Sequence, residues 1–527
     1  MNPRILALLP KLYLPILIVL CCVFSWQPLR AIDDFWAHAA IGRWMAHNGR
    51  VPDETLFLWG PGTPISWVYH SWLSQLFFFK CLDGVSLEVG ATRALILTVA
   101  VALIILLWMW QVWAKRARIT VLTPFLFAMM LWCFSPRIHP RPELFSSLFL
   151  VVLMTFLLVW TERRDITPDN PKGLPDHLVL RLVGVFLLFV VWANFHGGVA
   201  TGLVFIGLTI VGEGLQDLRE KRSLRPTLLL CGVLLLGILA ININPYGIAY
   251  WSSLSEVRSQ KFSYISEWQH IFKEPAMSPE AIVTTGLIGL LSLSAWLNSP
   301  RKRVAHLLWL LFAIASYVLA RRQIAQMAQI CLLVMAANAA ALETTRFWAL
   351  LRPPQQKDHK EKFEDSTAQD SEPPPRTRLL TRATLIVSLV CMTISAMPQD
   401  FWPLHSTAPE LPVEAAQFIK EKHPQARLLA DYSTSSYLNW HLYGQPPLYI
   451  DLINAYPDQL MTDYFDITYK KPRGQKLLYD LPISHVFISE IMKEGKIKPF
   501  YQYISKSPRW KPIYKDKNAV IWARKDL

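Results

Sequence analysis

Apolar and polar positions divide the chain into about eleven long hydrophobic runs separated by short polar breaks. The runs lie near 11–28, 91–113, 119–135, 143–161, 178–195, 198–215, 226–243, 280–297, 304–320, 323–343 and 379–397. A hydrocarbon core of about 30 Å takes roughly 20 apolar residues to cross, so each run predicts a transmembrane helix. A shorter apolar stretch at 66–82 is broken by His70, Ser74, Gln75 and Lys80, and predicts a helix lying at the membrane surface. Beyond residue 397 the pattern changes to short alternating runs. These predict a helix near 412–422, a strand at 426–431, a helix near 434–442, strands at 447–452 and 484–489, and a terminal hairpin about Asp516–Asn518. The expected fold class is an α-helical polytopic membrane protein of about 11 transmembrane helices with a small C-terminal α/β extracytoplasmic domain. Its expected parts are a transmembrane domain at 1–345, a polar, Pro-rich disordered linker at 346–378, a last span at 379–397 and a soluble domain at 398–527.

Composition agrees with the pattern. Of 527 residues, 52% are hydrophobic and only 17% charged, too apolar a balance for a soluble chain of this size. Many of the 21 tryptophans, among them Trp26, Trp113 and Trp192, fall near the ends of runs, where an interfacial aromatic belt is expected. The formal charge of +14 does not point to nucleic acid, because the basic residues form no stripe with interleaved aromatics and gather in loops between apolar runs. The seven cysteines lie in or beside apolar runs with no CxxC pair, which argues against a disulfide framework or a zinc site. Residues 1–28 end in bulky side chains rather than a small-residue cleavage site, and are expected to remain as the first helix.

Loop charge sets the expected topology. With 66–82 on the surface, Arg4, Lys11, Lys115–Arg116–Arg118, Arg163–Arg164, Arg219–Lys221–Arg222–Arg225 and Arg301–Lys302–Arg303 all fall on one side. Positively charged loops stay in the cytoplasm. This predicts a multi-pass protein of the inner (cytoplasmic) membrane with a cytoplasmic N-terminus and a periplasmic C-terminal domain. Arg137, Arg141, Arg321 and Arg322 break the trend by falling on the outer side, and arginines retained there suit anion binding.

The polar residues of the outer breaks are the candidate chemistry. Asp33 and Asp34 follow the first run in AIDDFWAHAAIGRWM, and on a helix over 33–46 Asp34 and His38 share a face. An aspartate at a low-dielectric surface can act as a general base with a raised pKa or hold a divalent cation (Mg or Mn). Either residue also suits helix capping. The loop SPRIHPRPELF brings Arg137, His139 and Arg141 together among three prolines, a preset pair of guanidiniums matched to phosphate. Asn194 and His196 precede a Gly–Gly turn, Asn244 and Tyr246 end another run, Glu267 adjoins Trp268, and His70 precedes Trp72 on the surface stretch.

The motifs DDFWAHAAIGRWMAHNGRVP, SWVYHSWL, HPRPELFS, WANFHGGVATG, INPYG and ARRQ follow in order. The series resembles a group of bacterial polytopic membrane proteins of the GT-C superfamily of glycosyltransferases, of the polyprenyl-phosphate-sugar-dependent type. The resemblance covers 29–345 and extends more loosely to ADYSTSSYLNWHLYG and YIDLINAYPD in the C-terminal part. It implies an acid in the first outer loop, matched by Asp34, an active site on the outer face, a sugar linked to a lipid phosphate, and inversion at the anomeric carbon. The chain departs from the group at Thr55, where an aspartate is expected, and has Asp53 and Glu54 beside it.

The expected function is therefore transfer of a sugar from a polyprenyl-phosphate donor to a glycan, lipid or protein acceptor at the bilayer's outer face, with no nucleic-acid partner. Asp34 or Asp33, with His38, would serve catalysis. Arg137, His139, Arg141, Arg321 and Arg322 would hold the donor phosphate, and Asn194, His196, Glu267 and His70 would complete the site. Asp451, Asn454 and Tyr456 would meet the acceptor. A flippase of lipid-linked glycans would want polar residues within its spans and at both faces. A non-catalytic scaffold with an outer binding domain would not need acids and arginines gathered at one face.

Overall fold

The computed structural model describes residues 3–117, 122–163, 177–255, 264–273, 277–342, 407–489, 492–493 and 496–526. The expected linker 346–378 and last span 379–397 lie outside the described residues. Ten helices answer to the first ten apolar runs: α1 (Pro3–Ser25), α4 (Leu87–Ala114), α5 (Leu122–Phe134), α6 (Pro142–Arg163), α7 (Leu178–Phe195), α8 (Val199–Glu220), α9 (Arg225–Ile241), α11 (Pro279–Asn298), α12 (Val304–Leu319) and α13 (Ile324–Leu342). Of these, α4, α6, α7, α8 and α11 are long and apolar enough to cross a membrane, with mean hydropathy from 1.5 to 2.5. Their outward faces are apolar too: Val179 and Leu180 on α7 are 75% and 72% exposed, as lipid contact requires.

Two shorter helices lie outside this set, α2 (Phe35–Asn48) and α3 (Trp72–Leu82), with α10 (Tyr250–Ser255) after α9. At about 1.5 Å per residue α3 is some 16 Å long and cannot cross a bilayer. It packs on α2 through a close backbone approach, since a Cβ on Gly42 would sit 2.1 Å from the Gln75 carbonyl oxygen. Small residues serve the same end within the bundle, where Gly212 lies directly on the Ala305 backbone.

The C-terminal part is an α/β unit. Its elements are α14 (Val413–Lys422), β1 (Leu428–Ala430), α15 (Ser435–Leu442), α16 (Asp458–Thr468), α17 (Pro472–Asp480), β2 (His485–Ile488), β3 (Met492–Lys493), β4 (Lys496–Ile497), α18 (Pro499–Lys506), β5 (Trp510–Lys515) and β6 (Val520–Arg524). The main sheet runs β1-β2-β6-β5, parallel between β1 and β2 and antiparallel elsewhere. The hairpin forms where expected: Asp516 Oδ1 accepts from the backbone N–H of Asn518 and Ala519, both at 2.7 Å. The segment 447–452 is not a strand. Only Leu448 makes bridges there, to Leu58 and Leu428, because the loop before α3 runs alongside it.

The two ends of the bundle differ in character. At one end Arg116 of the α4 terminus pairs with Glu162 of α6 at 2.6 Å, and buried Arg303 before α12 pairs with buried Glu213 of α8 at 3.4 Å. The basic loops 219–225 and 301–303 lie at this end. At the other end the α5–α6, α7–α8 and α12–α13 junctions converge under α2 and the C-terminal unit.

Candidate active site

The first helix after α1 carries the central acid. Asp34 occupies the position just before α2, yet its side chain makes no capping hydrogen bond. Its Oδ2 instead faces Arg141 Nε at 3.3 Å, with the Asp34 side chain 29% exposed. Asp33 turns the other way and is buried, its Oδ2 accepting from the Arg30 backbone N–H at 2.7 Å. The C-terminal unit locks this turn: Ser436 Oγ donates to the Asp33 carbonyl at 2.6 Å and accepts from the Ala37 N–H at 3.0 Å. Trp36 meets Tyr437 edge to face at 5.4 Å. The side chain that aims Asp34 is thus some 400 residues away in sequence.

Three arginines and two further carboxylates interlock beside it. Arg137, buried in a 3-10 turn over Ser135–Arg137, reaches Glu267 at 2.9 Å and Glu143 at 3.4 Å. Arg322 reaches Glu143 at 3.2 Å and Glu267 at 3.7 Å, and lies 4.1 Å above the Trp268 ring. Arg141 reaches Glu267 at 3.6 Å as well as Asp34. The Arg141 Nε contact with Asp34 is an ion pair and not an aligned hydrogen bond.

Histidines line the neighbouring wall. His196 Nδ1 accepts from the Gly198 N–H at 3.0 Å and lies 2.8 Å from Ser146 Oγ, which itself accepts from Trp192 Nε1 at 2.7 Å. That network places the imidazole proton on Nε2. A Cβ on Gly198 would fall 2.6 Å from Ser146 Oγ, so glycine is what lets the turn close over the pair. His70 stands 5.8 Å from His196 ring to ring, and His38 Nδ1 meets Gln75 Nε2 at 3.0 Å.

These groups share one cavity of about 1360 Å³, lined by Asp34, His38, His70, Arg137, Arg141, Glu143, His196, Glu267 and Arg322 on the bundle side. The C-terminal unit supplies the opposite wall with Tyr432, Asn454 and Tyr456. Both tyrosine hydroxyls donate to Asn454 Oδ1 at 2.9 Å, which fixes that wall.

Several expected site residues are not part of this lining. Asn194 donates to the Val190 and Ile243 carbonyls, both at 2.8 Å, and accepts from Trp72 Nε1 at 2.7 Å, tying helix ends together. Arg321 donates to the carbonyls of His270 and Lys273. Asp451 accepts from Asn439 at 2.7 Å and from the Ile453 N–H at 3.0 Å, closing its own turn. His139 sits behind the arginines, its carbonyl bonded to the Arg141 N–H. Tyr246 donates to the Pro52 carbonyl at 2.7 Å and accepts from the Tyr69 N–H at 3.0 Å, so the NPYG segment braces the loop before α3. Of the two aspartates expected to hold a cation, Asp33 is engaged by the Arg30 N–H and Asp34 by Arg141. Among the described residues no group of three or more His, Cys, Asp or Glu is arranged to hold a metal.

The electrostatics separate the acids. Burial lifts the Asp34 carboxyl above the ordinary carboxylate range, with Arg141 pulling against it. Burial acts the same way on Glu267, but Arg137, Arg322 and Arg141 outweigh it and hold that carboxyl below its usual range. Burial lowers His38 and His196 to about 3 and His70 to about 4, so all three are neutral near pH 7. The cavity therefore offers one carboxylate tuned toward proton transfer, a guanidinium cluster, and neutral imidazole donors.

Glu143 and Tyr432 were not foreseen from the sequence. Glu143 follows Pro142 at the start of α6, where an acid suits the helix dipole and draws no notice. Tyr432 belongs to ADYSTSSYLNW, a segment whose only visible signal was its loose motif likeness.

The sequence matches no family model, and no curated protein matches it. Solved structures do match in fold. The oligosaccharyltransferase AglB of Archaeoglobus fulgidus, in complex with an inhibitory peptide and a dolichol-phosphate, aligns with a TM-score of 0.59 and 10% identity over 90% of this chain and 69% of that one. ArnT from Cupriavidus metallidurans in the apo state aligns at 0.50 with 14% identity over 97% of both chains. The arabinofuranosyltransferase AftD from Mycobacteria aligns at 0.50 with 14% identity over 99% of this chain and 40% of that one. The chain shares the overall fold of these three solved structures.

Proposed function

We propose that this protein is a membrane-embedded inverting glycosyltransferase that moves a sugar from a polyprenyl-phosphate donor to an acceptor at the outer face of the inner membrane. The observation that carries the reading is Asp34: it holds a capping position without capping and, paired with Arg141 at 3.3 Å, lines a cavity wide enough for a sugar. In this reading the acceptor oxygen attacks the anomeric carbon while the bond from that carbon to the lipid phosphate oxygen breaks. The acceptor proton passes to Asp34, and the phosphate leaves with the bonding pair. Arg141 and the partly exposed Arg322 meet the phosphate as its charge grows, exchanging carboxylate contacts for phosphate contacts. Glu143 and Glu267 hold the guanidiniums apart and oriented until then. His196 presents Nε2–H to the same space. Tyr432, Asn454 and Tyr456 place the acceptor.

The end of the bundle that carries this cavity lies opposite the basic loops, which supports an outer-face site, a cytoplasmic N-terminus and a C-terminal unit outside. The test is incubation of purified protein with a panel of polyprenyl-phosphate sugars and with nucleotide sugars, each with a membrane extract as acceptor. Transfer from a polyprenyl-phosphate sugar is expected. Turnover with nucleotide sugars alone would refute the donor assignment.

A further inference from the structure

A second cavity of about 500 Å³ lies apart from the first, where the C-terminal half of α2 meets residues 56–58 and the C-terminal unit. Asp34 stands nine residues earlier on the same helix, about 13 Å away along its axis. Two cations converge on this cavity, Arg43 from α2 and Lys420 from α14, and no acid lines it. Among the described residues no carboxylate comes within ion-pair distance of either. The Arg43 guanidinium carbon lies 4.4 Å from the Tyr443 ring centroid and 5.7 Å from that of Trp440, cation–π contacts that hold it in place. Lys420 Nζ donates to the His441 carbonyl at 2.6 Å, and an ammonium has further donors to give. Burial, then the neighbouring Arg43, lowers the Lys420 pKa, as expected of a cation lacking a counter-charge.

The walls carry backbone strain as well. Phe57 and Tyr443 both hold left-handed φ, +68° and +53°, with rings 5.3 Å apart. Such residues persist where the surroundings over-determine them, and they gather at ligand clamps. A cleft with two unopposed cations matches a doubly charged oxyanion. A phosphate monoester carries about −1.5 to −2 at pH 7, and the guanidinium fork fits phosphate oxygens in pairs.

We propose that this cleft binds a phosphoryl group, clamped between Arg43 of the helix that bears Asp34 and Lys420 of the C-terminal unit. The inference stands independently of the sugar-transfer reading. The group can belong to a soluble phosphate or to the headgroup of a phosphomonoester lipid, and the test separates the two. The full chain in zwitterionic nanodiscs is treated with trace acetic anhydride, and acetylation of Lys420 is read by peptide mass spectrometry against exposed Lys422. Millimolar inorganic phosphate is expected to slow Lys420 several-fold relative to Lys422, whereas sodium chloride of equal ionic strength does not. Protection that needs no added phosphate but requires phosphatidic acid in the disc identifies the lipid as the source. Arg43→Gln, checked for an unchanged melting temperature, should abolish protection. Arg43→Lys, which keeps the charge but not the fork, should weaken protection without removing it, and replaces the glutamine variant if that one fails to fold. A Lys420 rate indifferent to both phosphate and phosphatidic acid, equal protection by chloride, or protection that persists in Arg43→Gln would overturn the proposal.

Discussion

At the scale of single residues, proton transfer and charge neutralisation fall on different side chains. Asp34 must be ionised to accept a proton, and burial raises its pKa above the ordinary carboxylate range. The rate should therefore fall on acidification as the pH drops through that raised value, earlier than an ordinary aspartate would require. A pH–rate profile that stays flat down to pH values where free carboxylates protonate would remove Asp34 as the base. Arg141 faces carboxylates at the cavity wall, Asp34 at 3.3 Å and Glu267 at 3.6 Å, contacts that a phosphate can replace. Arg141→Ala should raise the donor concentration needed for half-maximal rate, because losing one charged contact to a buried anion costs about 2–5 kcal/mol. Arg321→Ala should not, since its guanidinium is taken up by the carbonyls of His270 and Lys273. Equal effects of the two substitutions in a donor titration would contradict this division. The sequence showed both arginines in outer breaks but could not tell them apart: the difference lies in which carbonyls the chain happens to fold beside each.

At the scale of elements, α2 is held by contacts on two sides. Its existence was legible, since Asp34 and His38 four residues apart announced a helical face and both do line the cavity. Its support was not. Gly42 looks like a weak helix residue until the Gln75 carbonyl is seen against it. Gly42→Ala should push α3 away and lower the melting temperature of the purified protein, an overpacking cost of about 1–3 kcal/mol. An unchanged melting curve would mean that α3 is not packed on α2 as described. The segment 447–452 misled for a related reason: its apolar residues are buried, but only Leu448 bridges, between Leu428 of β1 and Leu58, so no full strand forms. Helices α16, α17 and α18 escaped notice because they are short and their apolar positions read equally well as loop.

At the scale of the whole molecule, a charged loop set and a candidate site occupy opposite ends of one bundle. The apolar runs forecast ten of these helices, most within a few residues, although α1 begins at Pro3 and α8 runs on to Glu220, because the bilayer dictates their length and composition. The docking of the C-terminal unit on this turn was beyond forecast, since Ser436 reaching Asp33 is a contact between segments with no local signal in common. Reporter fusions after Arg222 and Arg303 should report the cytoplasm, and fusions after Pro142 and Leu527 the outer side. A cytoplasmic C-terminus would place the C-terminal unit and the cavity wall it supplies on the wrong face for a donor presented outside.

The central claim is that the cavity around Asp34 is where a sugar changes hands. The most direct measurement is the transfer rate from a polyprenyl-phosphate sugar in proteoliposomes, for the wild-type protein and for Asp34→Asn matched in abundance and melting temperature. Loss of a general base removes about 10²–10⁴-fold in rate, and a drop of that order with folding intact is the expected result. Full activity in Asp34→Asn would contradict the account.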